Sequence, residues 1–209
     1  MRGIATVPSY VIMQPTTLCN LDCRYCYLPL RAHDRRMPVE VAGAVAASVN
    51  EWAQAVPRFS VVWHGGEPLA AGRDHLAALM AAFHGVEHHI QTNATLVDDE
   101  WCAFLAERGV KVGLSIDGPE DLTAQRVNRG GRRHTRRSCA ALRRCAGTVS
   151  RSPHCVSSPT RGRAWPRGCT GSSWSSAATR WASTWRSGKA STGATPGTAA
   201  TWYAPSGRS

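Results

Sequence analysis

A 209-residue chain with a net charge of +11 invites the reading of one basic domain with a nucleic-acid partner, but the charge is not spread along it. All fourteen acidic residues lie at or before Asp121, where nine Lys and Arg leave that part at −5, whereas from Leu122 onward there are sixteen Lys and Arg and no Asp or Glu. The overall composition therefore describes neither part, and a single basic nucleic-acid-binding domain is excluded for the first.

The N-terminus carries no secretory pattern, since Pro8 interrupts a weak apolar run and no small-residue cleavage site follows. No stretch reaches the apolar length that spans a bilayer, so no membrane partner is expected. A first strand is expected at about Tyr10–Gln14. It leads into Cys19-Asn-Leu-Asp-Cys23-Arg-Tyr-Cys26, three cysteines inside eight residues. Soft thiolates converging from one short loop suit a [4Fe-4S] cube, and this run supplies three ligands, leaving one iron open to a small molecule. A helical stripe, a structural zinc knuckle and disulfide partners are the other readings of the same spacing. Asn20, Asp22 and Arg24 fit an exposed loop better than a buried helical face, and zinc would want a fourth ligand. Tyr25 sets an aromatic ring beside the third thiol.

Met37-Pro38 opens a helix expected to run to about Ala55, with Ala42, Val45, Ala46, Val49 and Trp52 as its buried stripe. Phe59–Trp63 reads as the second strand, followed by His64-Gly65-Gly66-Glu67-Pro68. Here two glycines permit a sharp turn and close main-chain approach to a ligand, and Glu67 offers a carboxylate. A helix at about Arg73–Phe83 precedes a third strand, Val86–Thr92. Asp98 then caps a helix with Asp99 and Glu100 in its first turn and Gly109 past its end. Alternation of Val110, Val112, Leu114 and Ile116 with polar or small residues marks the fourth strand, closed by Ser115-Ile116-Asp117-Gly118-Pro119. The fold class is thus α/β: about four βα units of an incomplete parallel barrel, with ligand-facing loops at the carboxyl ends of the strands. Taken alone, Thr92-Asn93 and Ser115 to Pro119 are ordinary strand-end turns. His64, His88 and His89 read as hydrogen-bonded structural residues, Cys102 as a small buried hydrophobe, and no catalytic acid or base is assigned.

The segment Cys19, Cys23, Tyr25, Cys26 resembles the signature of the radical S-adenosylmethionine (radical SAM) superfamily, C-x3-C-x-aromatic-C after the first barrel strand. That resemblance implies that Cys19, Cys23 and Cys26 hold the cluster and that S-adenosyl-L-methionine chelates its open iron. Cleavage of the cofactor would then give a 5'-deoxyadenosyl radical that removes hydrogen from substrate. It further implies cofactor contacts from Tyr25, from Gly65, Gly66 and Glu67 to the methionyl amine, from Asn93, Ser115 and Asp117 near the ribose and adenine, and from Arg126 to the cofactor carboxylate. Two departures stand out: Ala94 where a glycine is usual, and Thr123-Ala124 in place of His-Asp. The order of motifs over residues 9–131 is most similar to SPASM-type peptide and protein maturases, such as cyclophane-forming and anaerobic sulfatase-maturing enzymes. This implies a precursor peptide or protein as substrate, an electron donor such as flavodoxin or ferredoxin, and a cytoplasmic location; nucleic acid is not an expected partner.

Residues 132–209 form an acid-free basic tail, poorly structured by composition. From Leu122 on there is no Ile, Phe or Met and only Leu122 and Leu142, yet five of the eight tryptophans lie there. A slip of reading frame between about Arg129 and Cys145 is the leading explanation, which would make the chain an inactive fragment of such an enzyme. The alternatives are a disordered basic arm and a nucleic-acid-binding patch with Trp stacking platforms, the latter making the whole chain a basic nucleic-acid-binding protein with a metal-binding loop.

Overall fold

The computed structural model describes residues 7–56, 58–115, 124–134, 137–138 and 140–141. Its centre is a four-stranded parallel sheet in the order β1-β2-β3-β4, with β1 at Tyr10–Met13, β2 at Ser60–Trp63, β3 at Glu87–Thr92 and β4 at Lys111–Leu114. Val61 stands beside Val11 and His88, and Trp63 beside Met13 and Ile90, so the register aligns alternate apolar positions across three strands. Parallel neighbours require a crossover, and helices supply it: α1 (Val39–Ala55) joins β1 to β2, α2 (Arg73–Met80) joins β2 to β3, and α3 (Asp99–Glu107) joins β3 to β4.

Each helix begins and ends where local chemistry directs. Pro38 immediately precedes α1, and Ala42, Ala46 and Val49 are its buried residues, with Val45 and Trp52 partly buried against the same core. Asp98 caps α3 as expected, its carboxylate accepting the Trp101 N–H at 2.8 Å, and Gly109 follows the helix at φ +60°. Arg73 at the start of α2 pairs with Glu100 in the first turn of α3 and lies 5.9 Å over the Trp101 ring. Helix α2 stops at Met80, earlier than the expected Phe83, yet Phe83 stays buried, edge-on to Trp63. Strand β1 likewise ends at Met13, and β4 is described only to Leu114, so the expected ends at Gln14 and Asp117 are shorter in the structure or lie outside the described residues.

The core joins Met13, Val61, Trp63 and Ile90 of the sheet to Ala46, Val49, Leu76, Leu79, Phe104 and Leu105 of the helices. The other sheet face is polar at its base, where Lys111 Nζ sits 2.6 Å from Glu87 and His89 Nε2 sits 3.5 Å from the same carboxylate. On the core side, His88 Nδ1 accepts the Trp63 indole N–H at 3.2 Å and its ring stacks on Trp63. Cys102 is buried on α3, as expected. Beyond Arg132, Arg137, Ser138, Ala140 and Ala141 have helical backbone, and Ser138 and Ala141 are buried. The remainder of the basic tail lies outside the described residues. Among the described residues, no helix is long and apolar enough to cross a membrane.

Candidate functional site

Three loops meet at the carboxyl end of the sheet. The cysteine loop following β1 is pinned through its main chain: Cys19 N–H donates to Arg31 O at 2.9 Å, Asp22 N–H to Val127 O at 2.7 Å, and Arg24 N–H to Gln125 O at 2.9 Å. Cys26 N–H closes a turn onto Cys23 O at 3.0 Å, and the Asp22 carboxylate pairs with Arg31 at 2.6 Å. Arg129 adds hydrogen bonds to the carbonyls of Cys19 and Arg31 at 3.2 and 3.1 Å. The loop is therefore held by segments roughly ten and one hundred residues away, which fixes where its side chains point.

Cys19, Cys23 and Cys26 stand as thiols, Cys23 buried and the other two partly so. Burial pushes the Cys19 thiol up to about 11; the Leu21 main-chain N–H opposes this, while Glu67, Cys23 and Cys26 add to it as nearby negative groups. Among the described residues no three His, Cys, Asp or Glu side chains converge as ligands of one metal ion. Tetrahedral zinc bound at about 2.3 Å would draw its thiolates to roughly 3.7 Å from one another, whereas a cube spreads three thiolates over three separate irons. Three soft donors from one anchored loop match the donor count of a cube with one open iron, whereas a closed zinc knuckle takes four.

The second loop follows β2. Gly65 and Gly66 have φ of +96° and +60°, in the region L side chains rarely enter. A Cβ on Gly66 would lie 2.5 Å from Thr16 O and 2.7 Å from Leu18 O, so this glycine lets the β2 turn lie directly against the chain leading to Cys19. Glu67 N–H then donates to Leu18 O at 2.8 Å. The Glu67 side chain is 1% exposed; Oε1 accepts the Thr92 hydroxyl at 2.6 Å and Leu69 N–H at 3.2 Å, and Oε2 accepts Asn93 N–H at 2.8 Å. Burial raises its carboxyl pKa above the ordinary range, against the pull of these donors and of the Arg126 charge. The carboxylate expected to meet an ammonium group thus also ties the end of β3 to the turn after β2.

The third loop follows β3. Asn93 Nδ2 approaches Cys19 Sγ at 3.9 Å and donates to Asn20 Oδ1 at 2.9 Å. Ala94, at φ +61° and fully buried, takes the left-handed turn that explains why its departure from glycine matters. Ser115, after β4, sits further along the sheet, its hydroxyl accepting from Gln91 Nε2 at 3.0 Å and its N–H donating to Thr92 O at 2.9 Å. Arg126 places its guanidinium 5.7 Å over the Tyr25 ring, which is 52% exposed. The structure thus gathers Cys19, Cys23, Cys26, Tyr25, Gly66, Glu67, Asn93 and Arg126 about one loop and sets Ser115 beside them; Asp117 lies outside the described residues.

Three participants were not singled out from sequence. Asn20, read as an exposed loop residue, is partly buried and bonded to Asn93 and Thr95; Thr95 and Ser138 are buried, with Ser138 Oγ donating to Asn93 O at 2.7 Å. Only three-dimensional proximity reveals them, since none belongs to a short-range pattern.

A parallel βα sheet with a cysteine loop after its first strand and a glycine turn after its second defines a class. The family model for the radical SAM superfamily matches residues 13–153, and the chain belongs to that superfamily. Among curated relatives, the serine-type anaerobic sulfatase-maturating enzyme of Klebsiella aerogenes is 35% identical over 151 residues, covering 66% of this chain and 36% of that protein. Among solved structures, anSMEcpe with bound AdoMet and Cp18Cys peptide aligns with a TM-score of 0.57 at 28% identity, over 68% of this chain and 41% of that one. Streptococcus suis SuiB bound to S-adenosylmethionine shares the fold with a TM-score of 0.55 at 21% identity, over 69% of this chain and 33% of that one. This chain spans about a third of the length of the curated relatives it matches.

Proposed function

We propose that this chain is the cofactor-activating part of a radical SAM peptide or protein maturase. The observation that carries the reading is the cysteine loop, pinned by main-chain hydrogen bonds and packed against the Gly66 turn, in which Cys19, Cys23 and Cys26 stand as thiols. Cys19, Cys23 and Cys26 would hold a [4Fe-4S] cluster with one iron open to S-adenosyl-L-methionine. When bound, a cluster reduced by the external donor would pass one electron to the sulfonium, whose C–S bond would break to methionine and a 5'-deoxyadenosyl radical able to take a hydrogen atom from a substrate side chain.

The chain's own residues do the positioning. Gly65 and Gly66 bring main chain rather than side chain to the ligand's methionyl end, while Glu67 holds that turn to β3. Arg126, stacked near Tyr25, offers a guanidinium for a carboxylate, and Tyr25, next in sequence to the third thiol, is assigned to the cofactor as well. Ser115 and Asp117 are assigned to the adenosine side, whereas Asn93, expected there too, turns its amide toward the cysteine loop. A precursor peptide or protein is the proposed substrate, supported by the maturase relatives. A flavodoxin or ferredoxin is the proposed electron donor, and a reducing cytoplasm the proposed location for an oxygen-sensitive cluster.

The test is anaerobic reconstitution of the full chain. The reading expects about four irons with matching sulfide per chain, loss of the cluster in Cys23→Ser, and 5'-deoxyadenosine formed from S-adenosyl-L-methionine under dithionite. Binding of the Cp18Cys peptide would support the substrate class. One zinc per chain without sulfide would overturn the reading.

A further inference from the structure

The amide of Asn93 is held at almost every polar atom. Its main-chain N–H donates to Glu67 Oε2 at 2.8 Å and its carbonyl accepts from Ser138 Oγ at 2.7 Å. Its side-chain oxygen accepts the Thr95 main-chain N–H at 2.9 Å and the Thr95 hydroxyl at 2.6 Å. A main-chain N–H can only donate, so the Thr95 contact fixes which end of the Asn93 amide is oxygen. The Nδ2 end therefore faces the cysteine loop, 2.9 Å from Asn20 Oδ1 and 3.9 Å from Cys19 Sγ. Asn20 Nδ2 in turn donates to Thr95 Oγ1 at 2.6 Å, closing a ring of three side chains behind the sulfur. Asn93 is 5% exposed and Thr95 4%, so water competes little for these bonds.

An N–H aimed at a ligand sulfur stabilises negative charge there, and a cluster gains negative charge when it is reduced. We propose that Asn93 raises the reduction potential of the cluster by donating an N–H to the Cys19 sulfur, with Thr95 and Asn20 as positioning residues that fix its amide. The inference rests on the cluster assignment made above and adds to it a determinant of how readily the centre accepts an electron.

The measurement is the midpoint potential of the anaerobically reconstituted full chain, followed by the paramagnetic signal of the reduced cluster during a mediated dithionite titration. Asn93→Ala removes the donor and shifts the potential downward. Asn93→Asp replaces it with an acceptor of the same shape and shifts it further. Thr95→Val loosens the amide without touching the sulfur and gives a smaller shift in the same direction, which keeps the test alive where the Asn93 variants assemble poorly. Variants with full iron content and an unchanged potential would overturn the role of Asn93 while leaving the cluster assignment intact. A wild-type chain that assembles no four-iron cluster would instead remove both, and the iron count separates the two failures.

Discussion

Thr92, the last residue of β3, gives its hydroxyl to Glu67 Oε1 at 2.6 Å, linking two strand ends that are 25 residues apart in sequence. The same carboxylate takes two main-chain N–H groups, so three donors depend on one fully buried side chain. Glu67→Ala leaves all three without an acceptor and is expected to cost about 3 kcal/mol or more, since each orphaned buried donor costs roughly 1–3 kcal/mol. Glu67→Gln keeps one oxygen for part of the set and should cost less. Urea unfolding of the two variants beside wild type checks the order.

Gly66 and Gly72 separate close approach from backbone strain. Both have positive φ, +60° and +85°, but a Cβ at Gly72 meets open space whereas one at Gly66 would overlap two carbonyl oxygens. Gly72 has ψ +153°, in an extended region at positive φ that is essentially confined to glycine, so Gly72→Ala should cost about 1–3 kcal/mol from backbone strain alone. Gly66→Ala adds overpacking of roughly 1–3 kcal/mol and pushes the β2 turn off the cysteine loop. Equal losses of stability in the two variants would show that the contact with Thr16 and Leu18 is slack.

Ala94 carries the opposite lesson. It sits at φ +61°, where a Cβ costs roughly 1–2 kcal/mol and glycine costs nothing sterically. Against this, glycine loses more freedom on folding, about 0.5–1 kcal/mol relative to alanine. Ala94→Gly is therefore expected to raise stability by about 0.5 kcal/mol, read as a higher urea midpoint with an unchanged slope.

His88 makes stability depend on pH. Its pKa is lowered to about 4, chiefly by burial and secondarily by the neighbouring charge of His89, and its Nδ1 must be unprotonated to accept from Trp63. Because the folded value lies below the unfolded one, the unfolded chain binds the proton first. This contribution to stability is fully present above about pH 6.5 and is lost as pH falls toward 4. The loss should be on the order of 2 kcal/mol, allowing for the partial exposure of the ring. Unfolding midpoints at pH 7.5 and 4.5 should differ in wild type by more than they do in His88→Phe.

Much of this arrangement could be read from the chain because it is written at short range. Alternation in Val110 to Leu114, the Asp98 cap and the buried stripe of α1 each depend on neighbours within a turn or two, and all three are present in the structure. The cysteine spacing and the paired glycines were legible for the same reason. What was not legible depends on distant partners: Asn20 meets Asn93 across 73 residues and Ser138 meets Asn93 across 45. The buried, triply bonded state of Glu67 was hidden too, since a turn carboxylate looks solvent-exposed until β3 is laid beside it. Strand ends were blurred because pairing, not propensity, decides where a ladder stops.

The unbroken order of the strands also acts as a ruler. The thiols follow β1 and Ser115 follows β4, with two strands between them. At about 4.8 Å per neighbour the outer strand ends stand roughly 14 Å apart on a flat sheet, less as it curves. The cysteine loop cancels most of that span by folding back over the sheet: Cys19 Sγ lies 3.9 Å from Nδ2 of Asn93, one residue beyond β3, whose last residue Thr92 accepts the Ser115 N–H at 2.9 Å.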